Sequence, residues 1–286
     1  MKITYIHHSS FCVELQNSIL LFDYFKGELP KFDKGKKLYV FASHFHEDHF
    51  DKCIFEIAKD HPDVTYILSK DIKKRRSKYV KSADQIVVMN FDEEITVDNM
   101  KIKTLESSDI GVAFLIEIEG KVIYHAGDLN WWHWEGENSP KENKYAEDKF
   151  KSGIDRIKGR DIDLAFVPLD PRQGDFYYLG FDYFMRNTNT KIAFPMHMWG
   201  DFSICDTFIN SKYAVNYKDK IVKISNDNES FNVEFIIKTP LLLQGSFFIY
   251  NLGKLIYKLF IFKCINFLKP ILLVVNKILN HHPVYL

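Results

Sequence analysis

Residues 38–50, which read LYVFASHFHEDHF, constrain this chain more than any other stretch. An apolar run typical of a buried strand is followed by His44, His46, Asp48 and His49 within six residues. Imidazole nitrogens and carboxylate oxygens are the ligands that zinc and neighbouring metals prefer. Since one turn cannot aim four side chains at a single ion, we expect His44 and His46 to share one metal and Asp48 and His49 to reach a second. The alternative, exposed loop histidines beside a helix N-terminus, does not explain the strand-to-loop context.

The segment HFHEDHF resembles the HxHxDH signature of the metallo-β-lactamase superfamily, whose members are mostly hydrolases with one or two metals. The resemblance implies an α/β (α+β) fold, a four-layer αββα sandwich of two mixed β-sheets flanked by helices. Short apolar runs predict strands at 3–6, 11–15, 19–22, 38–42, 64–68, 86–89, 94–97, 101–105, 112–119, 121–124, 163–168, 191–195, 221–225 and 231–235. Helical patterns cover 51–59, 71–82, 145–157, 177–186 and 204–211. Two strand-rich halves, each followed by helices, agree with that sandwich.

Two later strand ends match the family's remaining metal ligands. Asp128 after Gly127 matches the GD motif, whose carboxylate bridges the two metals, and the glycine lets the backbone approach closely. His197 matches the family's last histidine and would complete the second metal site with Asp48 and His49. The alternatives are a turn aspartate and a histidine satisfied by its aromatic surroundings.

One position departs from the family pattern. The first metal usually takes a third histidine about twenty residues before the bridging aspartate, and this sequence has Asp109 nineteen residues before Asp128. Either Asp109 replaces the imidazole, or the first site has two histidines, the bridging aspartate and water. A carboxylate favours manganese, iron or magnesium more than an imidazole does. We therefore expect one or two divalent metals, with zinc as the first choice and manganese or iron as alternatives.

These ligands predict a metal-dependent hydrolase that uses a metal-bound hydroxide on a small ester, lactone or phosphodiester. Asp48, besides binding metal, would orient the attacking water and accept its proton. Two alternatives stay open. One is a metal-binding, catalytically weak, membrane-associated protein, and the other is a nuclease or redox enzyme of the same fold, whose companion domains are not seen in this sequence.

The substrate-binding candidates lie on loops near the predicted metals. Trp131, Trp132 and Trp134 directly follow the bridging motif and form either a pocket wall that stacks on the substrate or rim packing. Arg172 could pair with a substrate phosphate or carboxylate, or with an acid of its own turn. Nearer the N-terminus, Asp23 is either a family-type aspartate at the base of the metal loop or a turn residue. We interpret His8 as a polar turn histidine.

Composition limits the partners. The formal net charge is zero, which gives no global field for nucleic acid, so we expect a small-molecule substrate and no nucleic acid; the oligomeric state stays open. Four scattered cysteines form no CxxC pair and predict no disulfide framework. The N-terminus carries no apolar signal-peptide core, so we expect a cytoplasmic protein.

A composition change near residue 239 divides the chain into a predicted hydrolase domain, 1–238, and an apolar segment, 239–286, with five lysines and no acid. On a helical wheel the lysines lie opposite a wide apolar face. This pattern predicts a helical segment that lies on the inner face of the membrane, or one that packs on its own domain or a second subunit.

Overall fold

In residues 1–80 and 85–234, which the computed structural model describes, the strands form two mixed β-sheets. The strands in chain order are β1 Lys2–His7, β2 Ser10–Glu14, β3 Ser18–Phe22, β4 Lys37–Ala42, β5 Val64–Ser69, β6 Ile86–Met89, β7 Glu94–Val97, β8 Met100–Glu106, β9 Val112–Ile118, β10 Lys121–His125, β11 Asp161–Pro168, β12 Asn189–Met196 and β13 Ser230–Asn232. The first sheet has the order β13-β1-β2-β3-β4-β5-β6, and the second has the order β12-β11-β10-β9-β8-β7. Pairing is parallel from β3 to β6 and from β10 to β12.

Helices connect and cover the strands. The α-helices are α1 Lys70–Arg75, α2 Ser77–Val80, α3 Pro140–Asp155, α4 Leu179–Asn187 and α5 Ser203–Ile209, and 3-10 helices span Lys52–Lys59, Pro171–Phe176 and Lys218–Lys220. Helix α3 begins with a full capping box, in which Ser139 and Glu142 bond to each other's backbone N–H groups.

The core lies between the sheets and under the helices because strand residues alternate in direction. Phe41 of β4 meets Phe114 of β9 across the sheets, with ring centroids 5.2 Å apart. Its neighbour Val40 lies on the opposite face, in a cluster with Ile54 and Ile72 of the helical segments. On the second sheet, Tyr124 of β10 stacks on Phe184 of α4. Each such fully buried side chain contributes about 1.5–3 kcal/mol, and together they make the helix–sheet–sheet–helix layering.

This architecture confirms the predicted fold class. The helix expected over 51–59 is a 3-10 helix, and Asp51 caps it by accepting a 2.7 Å hydrogen bond from the Cys53 N–H. The prediction of a strand at 221–225 is wrong. Ile221 alone forms a β-bridge, with Ala193, and Lys223 instead forms a salt bridge with Asp206. The predictions for 239–286 lie outside the described residues. None of the helices in 1–80 and 85–234 is both long enough and apolar enough to span a bilayer.

Candidate metal centre

Polar side chains gather where the parallel strands end. Asp23 follows β3, His44 lies just beyond β4, Asp128 follows β10, Asp170 follows β11 and His197 follows β12. Because the carboxyl ends of parallel strands meet at one edge of a sheet, the two facing sheets bring these loops to a common place.

The first cluster, which we call the outer half-site, consists of His44, His46, Asp109 and Asp128, whose ligand atoms all lie within 4.8 Å of one another. His44 Nε2 is 3.4 Å from Asp128 Oδ2, and His46 Nδ1 is 3.7 Å from Asp109 Oδ2. The side chains of His46 and Asp109 are 37% and 43% exposed. The structure thus places Asp109 at the position where the sequence lacks a third histidine.

The second cluster, the inner half-site, consists of His8, Asp48, His49 and His197, with ligand atoms again within 4.8 Å. Its three imidazoles are buried. Asp128 lies between the clusters: its Oδ1 is 3.1 Å from His49 Nε2 and 3.5 Å from His197 Nε2, while its Oδ2 faces His44. This is the placement that the bridging role predicts for Asp128.

A buried carboxylate fixes the imidazoles at the base of the metal loop. His49 Nδ1 donates to Asp23 Oδ2 at 2.7 Å, and the Ser43 hydroxyl donates to the same oxygen at 2.6 Å. That hydroxyl has one proton, so at 3.0 Å it accepts from Nδ1 of His44. Both rings therefore carry a proton on Nδ1 and turn Nε2, the nitrogen that a metal would take as its ligand, towards the cavity. Asp23 is fully buried and acts at the base of the site, as the family resemblance implied, and not merely as a turn residue.

The same arrangement orients His197. Its Nδ1 donates to Asp170 Oδ2 at 2.9 Å. Asp170 is in turn held by Arg172, whose Nε donates to both carboxylate oxygens at 3.0 and 3.1 Å. Burial opposes ionisation of Asp170, but the contacts with His197 and Arg172 lower its pKa to about 2. Carboxylate-backed imidazoles are the usual support of protein metal sites.

The atoms that face the cavity fit a metal. His8 Nε2, His44 Nε2, His49 Nε2 and Asp128 Oδ1 are buried, and none of them has a hydrogen-bond partner within the described residues. The 3.1 Å contact between His49 and Asp128 is not aligned as a hydrogen bond. Each unsatisfied buried polar atom costs about 1–3 kcal/mol. One cation in each half-site, with Asp128 between them, would satisfy all four atoms.

The electrostatics of the cluster also favour a cation. Burial alone would raise the pKa of Asp128, but the rings of His49, His197 and His44 hold it well below the ordinary value. Burial would lower the pKa of His49, but Asp128 and Asp23 raise it well above the ordinary value. Burial lowers the pKa of His8 to about 4, which keeps that ring neutral. Buried carboxylates that draw positive charge onto their neighbours attract a metal ion.

Backbone packing sets the position of the two aspartates. Gly127 has a φ of 51°, and a Cβ there would lie 2.7 Å from Ser43 Cβ, so only glycine allows this approach. The Ser108 hydroxyl donates to the Asn130 carbonyl at 2.6 Å and accepts from the Asn130 N–H at 2.9 Å. These bonds tie the loop of Asp109 to the turn of Asp128.

An open cavity of about 440 Å³ leads to both half-sites. Trp132 and Trp134 stack with centroids 5.7 Å apart along its wall, and the Trp132 indole N–H donates to the Asp128 carbonyl. Trp199, which is half exposed, and Arg172 also line this cavity. The Arg172 guanidinium lies 4.3 Å from the centroid of the Trp199 ring. Its hydrogen bonds to Asp170 agree with the alternative that Arg172 pairs with an acid of its own turn.

Trp131 was expected in this wall, and the structure corrects that expectation. Its ring packs near Phe150 and Tyr183, under the Lys151 ammonium, and it does not line the cavity. Consecutive residues of an extended stretch point in different directions, so three neighbouring tryptophans cannot all face one pocket.

Sequence reasoning also missed residues. His8 was interpreted as a turn histidine, yet it is 3% exposed and lies in the inner half-site. Asp170 was considered only as part of the turn of Arg172 and not as a support of the site, although it lies two residues after the predicted strand 163–168, whose neighbour leads to His197. In both cases the available signal was a polar side chain at a strand end.

Comparisons with known proteins show similarity in sequence and in fold. A family model described as a beta-lactamase superfamily domain matches residues 2–135. A metal-dependent hydrolase of Korarchaeum cryptofilum is 28% identical over 138 residues, 45% of this chain and 60% of the relative. One of Nanoarchaeum equitans is 27% identical over 213 residues, 69% of this chain and 83% of the relative. The solved structure of a metallo hydrolase from the hyperthermophilic archaeon Ignicoccus hospitalis has the same fold, with a TM-score of 0.59 at 19% identity over 82% of this chain and 98% of that one.

Proposed function

We propose that this chain, whose residues 2–135 match a beta-lactamase superfamily domain, is a metal-dependent hydrolase of the metallo-β-lactamase superfamily with a dinuclear site. His44, His46, Asp109 and Asp128 would hold one divalent metal. Asp48, His49, His197 and the second oxygen of Asp128 would hold the other. A bound divalent metal acidifies water and polarises the oxygen of the bond to be cleaved.

The observation that carries this proposal is the shared orientation of His44, His49 and His197. Each ring is hydrogen-bonded through Nδ1 to a carboxylate or to a carboxylate-bound hydroxyl, so each turns Nε2 towards Asp128. Packing alone does not require this common orientation of three imidazoles from two separate loops, the one after β4 and the one after β12. Zinc suits the imidazoles, and Asp109 makes manganese or iron acceptable in the outer half-site.

The cavity supports a small substrate with an apolar or aromatic part. The Trp132–Trp134 stack and Trp199 offer broad aromatic faces beside the half-sites. Asp48, which lines the cavity and is 30% exposed, would orient the attacking water and take its proton. Aryl esters, lactones and phosphodiesters are the substrate classes that combine such a part with a bond open to hydrolysis.

The test uses the full chain, stripped with a chelator and reconstituted separately with zinc, manganese and iron(II). Hydrolysis of p-nitrophenyl acetate, a γ-lactone and bis-p-nitrophenyl phosphate would be followed, with Asp128→Asn as the inactive control. We expect turnover of at least one class, dependent on metal and lost in Asp128→Asn. Turnover that survives metal removal, or that Asp128→Asn retains, would contradict the assignment. The cytoplasmic location and a membrane contact through 239–286 stay predictions.

A further inference from the structure

We propose that His8 is a ligand of the inner metal, and that this additional imidazole makes the inner half-site bind its metal first and more tightly than the outer one. The inference rests on the proposed metal-dependent function, but it concerns metal affinity and not turnover. None of the motifs that led to the other ligands includes His8.

The backbone at His8 is held in a costly conformation. Its φ of 55° lies in the left-handed region, which costs a residue with a β-carbon about 1–2 kcal/mol. The His8 carbonyl accepts a 3.2 Å hydrogen bond from the His197 N–H, so the β1–β2 turn is tied to the loop of another inner ligand. Strained residues persist where the surrounding structure requires them, often at functional positions.

The His8 side chain points at the inner half-site. Its Nε2 lies 3.5 Å from Asp48 Oδ2 and within 4.8 Å of the ligand atoms of His49 and His197. The ring packs against His197 and Trp199, with centroids 4.2 and 4.6 Å away. Packing explains the ring faces, but it does not explain a buried Nε2 that has no hydrogen-bond partner within the described residues. A metal bound by Asp48, His49 and His197 supplies that partner.

The two half-sites then differ in ligand chemistry. With His8 the inner half-site has three buried imidazoles and Asp48, whereas the outer one has two imidazoles, Asp109 and the main share of solvent exposure. A site rich in imidazoles binds zinc more tightly than a site rich in carboxylates. Ligands that are already buried and oriented also lose less conformational freedom when the metal binds. Zinc should therefore fill the inner half-site before the outer one.

The test is a zinc titration of metal-free full-length protein against a chromophoric chelator. For the native chain we expect one tight equivalent and a second that binds at least about 10-fold more weakly. His8→Asn is the main variant, because asparagine tolerates a positive φ. It should weaken the tight equivalent by at least about 100-fold, the upper end of the effect of removing a residue that only supports a metal ligand. Asp109→Asn should weaken only the second.

Two controls keep the test decisive. His7→Ala alters the neighbouring histidine, whose ring bonds to Asp227 instead of the site, and should leave both equivalents unchanged. Cobalt(II) gives an independent readout, since the visible band of the first equivalent should change in intensity in His8→Asn and in His8→Ala. If one variant fails to fold by circular dichroism, the other decides.

The outcomes separate this inference from the proposed function. Unchanged affinity and an unchanged cobalt spectrum in the folded His8 variant would overturn the ligand role, even if its turnover fell. A first equivalent that Asp109→Asn weakens instead would overturn the order of binding. Loss of the tight equivalent in His8→Asn would support the inference, even if no hydrolytic substrate were found.

Discussion

The two half-sites share Asp128 but differ in burial and in support. The inner imidazoles His49 and His197 each donate directly to a carboxylate, Asp23 or Asp170, and both are nearly inaccessible to solvent. In the outer half-site His44 reaches Asp23 only through Ser43, and Asp109 is 43% exposed. We therefore expect a division of work, in which the inner half-site would retain a metal and the outer one would admit substrate and solvent.

The largest effect is expected where the half-sites meet. Asp128→Asn keeps the shape of the side chain but removes the charge that faces His44, His49 and His197. We expect both zinc equivalents to weaken and kcat/KM to fall by more than about 100-fold, beyond the usual cost of losing a supporting residue. Metal content after dialysis, measured together with kinetics, checks this. If only one equivalent were lost, Asp128 would belong to one half-site and not bridge the two.

Asp23 is the next strongest test, because it supports one imidazole of each half-site. In Asp23→Asn an amide NH2 replaces one carboxylate oxygen, so either the Ser43 N–H loses its acceptor or both His49 Nδ1 and the Ser43 hydroxyl lose theirs. We expect zinc affinity at both half-sites to fall by about 10- to 100-fold and the free energy of unfolding of the metal-free protein to fall by about 1–3 kcal/mol. Chelator competition and urea unfolding measure the two effects.

Ser43→Ala is the matched control for Asp23. It removes only the link from Asp23 to His44, so the outer equivalent should weaken by about 10-fold while the inner one keeps its affinity. An equal loss of zinc affinity at both half-sites would contradict the conclusion that Ser43 supports the outer half-site alone.

A smaller effect, confined to the inner half-site, is expected from Asp170→Asn. The change removes the charge that orients His197, and the inner zinc should bind about 10-fold more weakly while the outer equivalent is unaffected. Arg172→Lys keeps a cation near Asp170 but loses the forked contact, so its effect should be smaller. If either variant bound zinc more weakly at the outer half-site, the residues that support the two half-sites would not act separately.

The smallest effect is expected at the cavity wall, outside both half-sites. Trp134→Leu removes one face of the stack with Trp132. Since aromatic pairs contribute about 0.5–1.5 kcal/mol, KM for an aryl substrate should rise by about 3- to 10-fold. The affinity for zinc and the KM for an alkyl analogue should stay unchanged. A change in zinc affinity would place Trp134 among the supports of the metals.

Much of the site could be predicted from local sequence because its ligands follow apolar strands. The end of β4 predicted His44, His46, Asp48 and His49, and the fold brings all four into the two clusters. Asp128 needed only its glycine and the preceding strand. Strand direction and parallel pairing then bring these loops to one edge of the sheets. A correct prediction of the strands therefore predicted the position of much of the site.

The residues that were missed depend on contacts between distant segments. A lone histidine such as His8 looks like any turn residue until β1 pairs in the first sheet and its turn meets the loop of His197. Asp170 has meaning only beside His197, and Trp131 cannot be told from Trp132 without the direction of each side chain. The strand expected at 221–225 was wrong because apolar alternation does not reveal whether an edge strand has a partner.

The most direct test of the account is a crystal structure of the full chain grown with one equivalent of zinc, followed by one with excess zinc, using anomalous scattering at the zinc edge. In the first crystal we expect a single peak, bound by His8, Asp48, His49, His197 and Asp128. A second peak beside His44, His46 and Asp109 should appear only with excess. A first peak in the outer half-site, or an inner peak from which His8 is turned away, would contradict it.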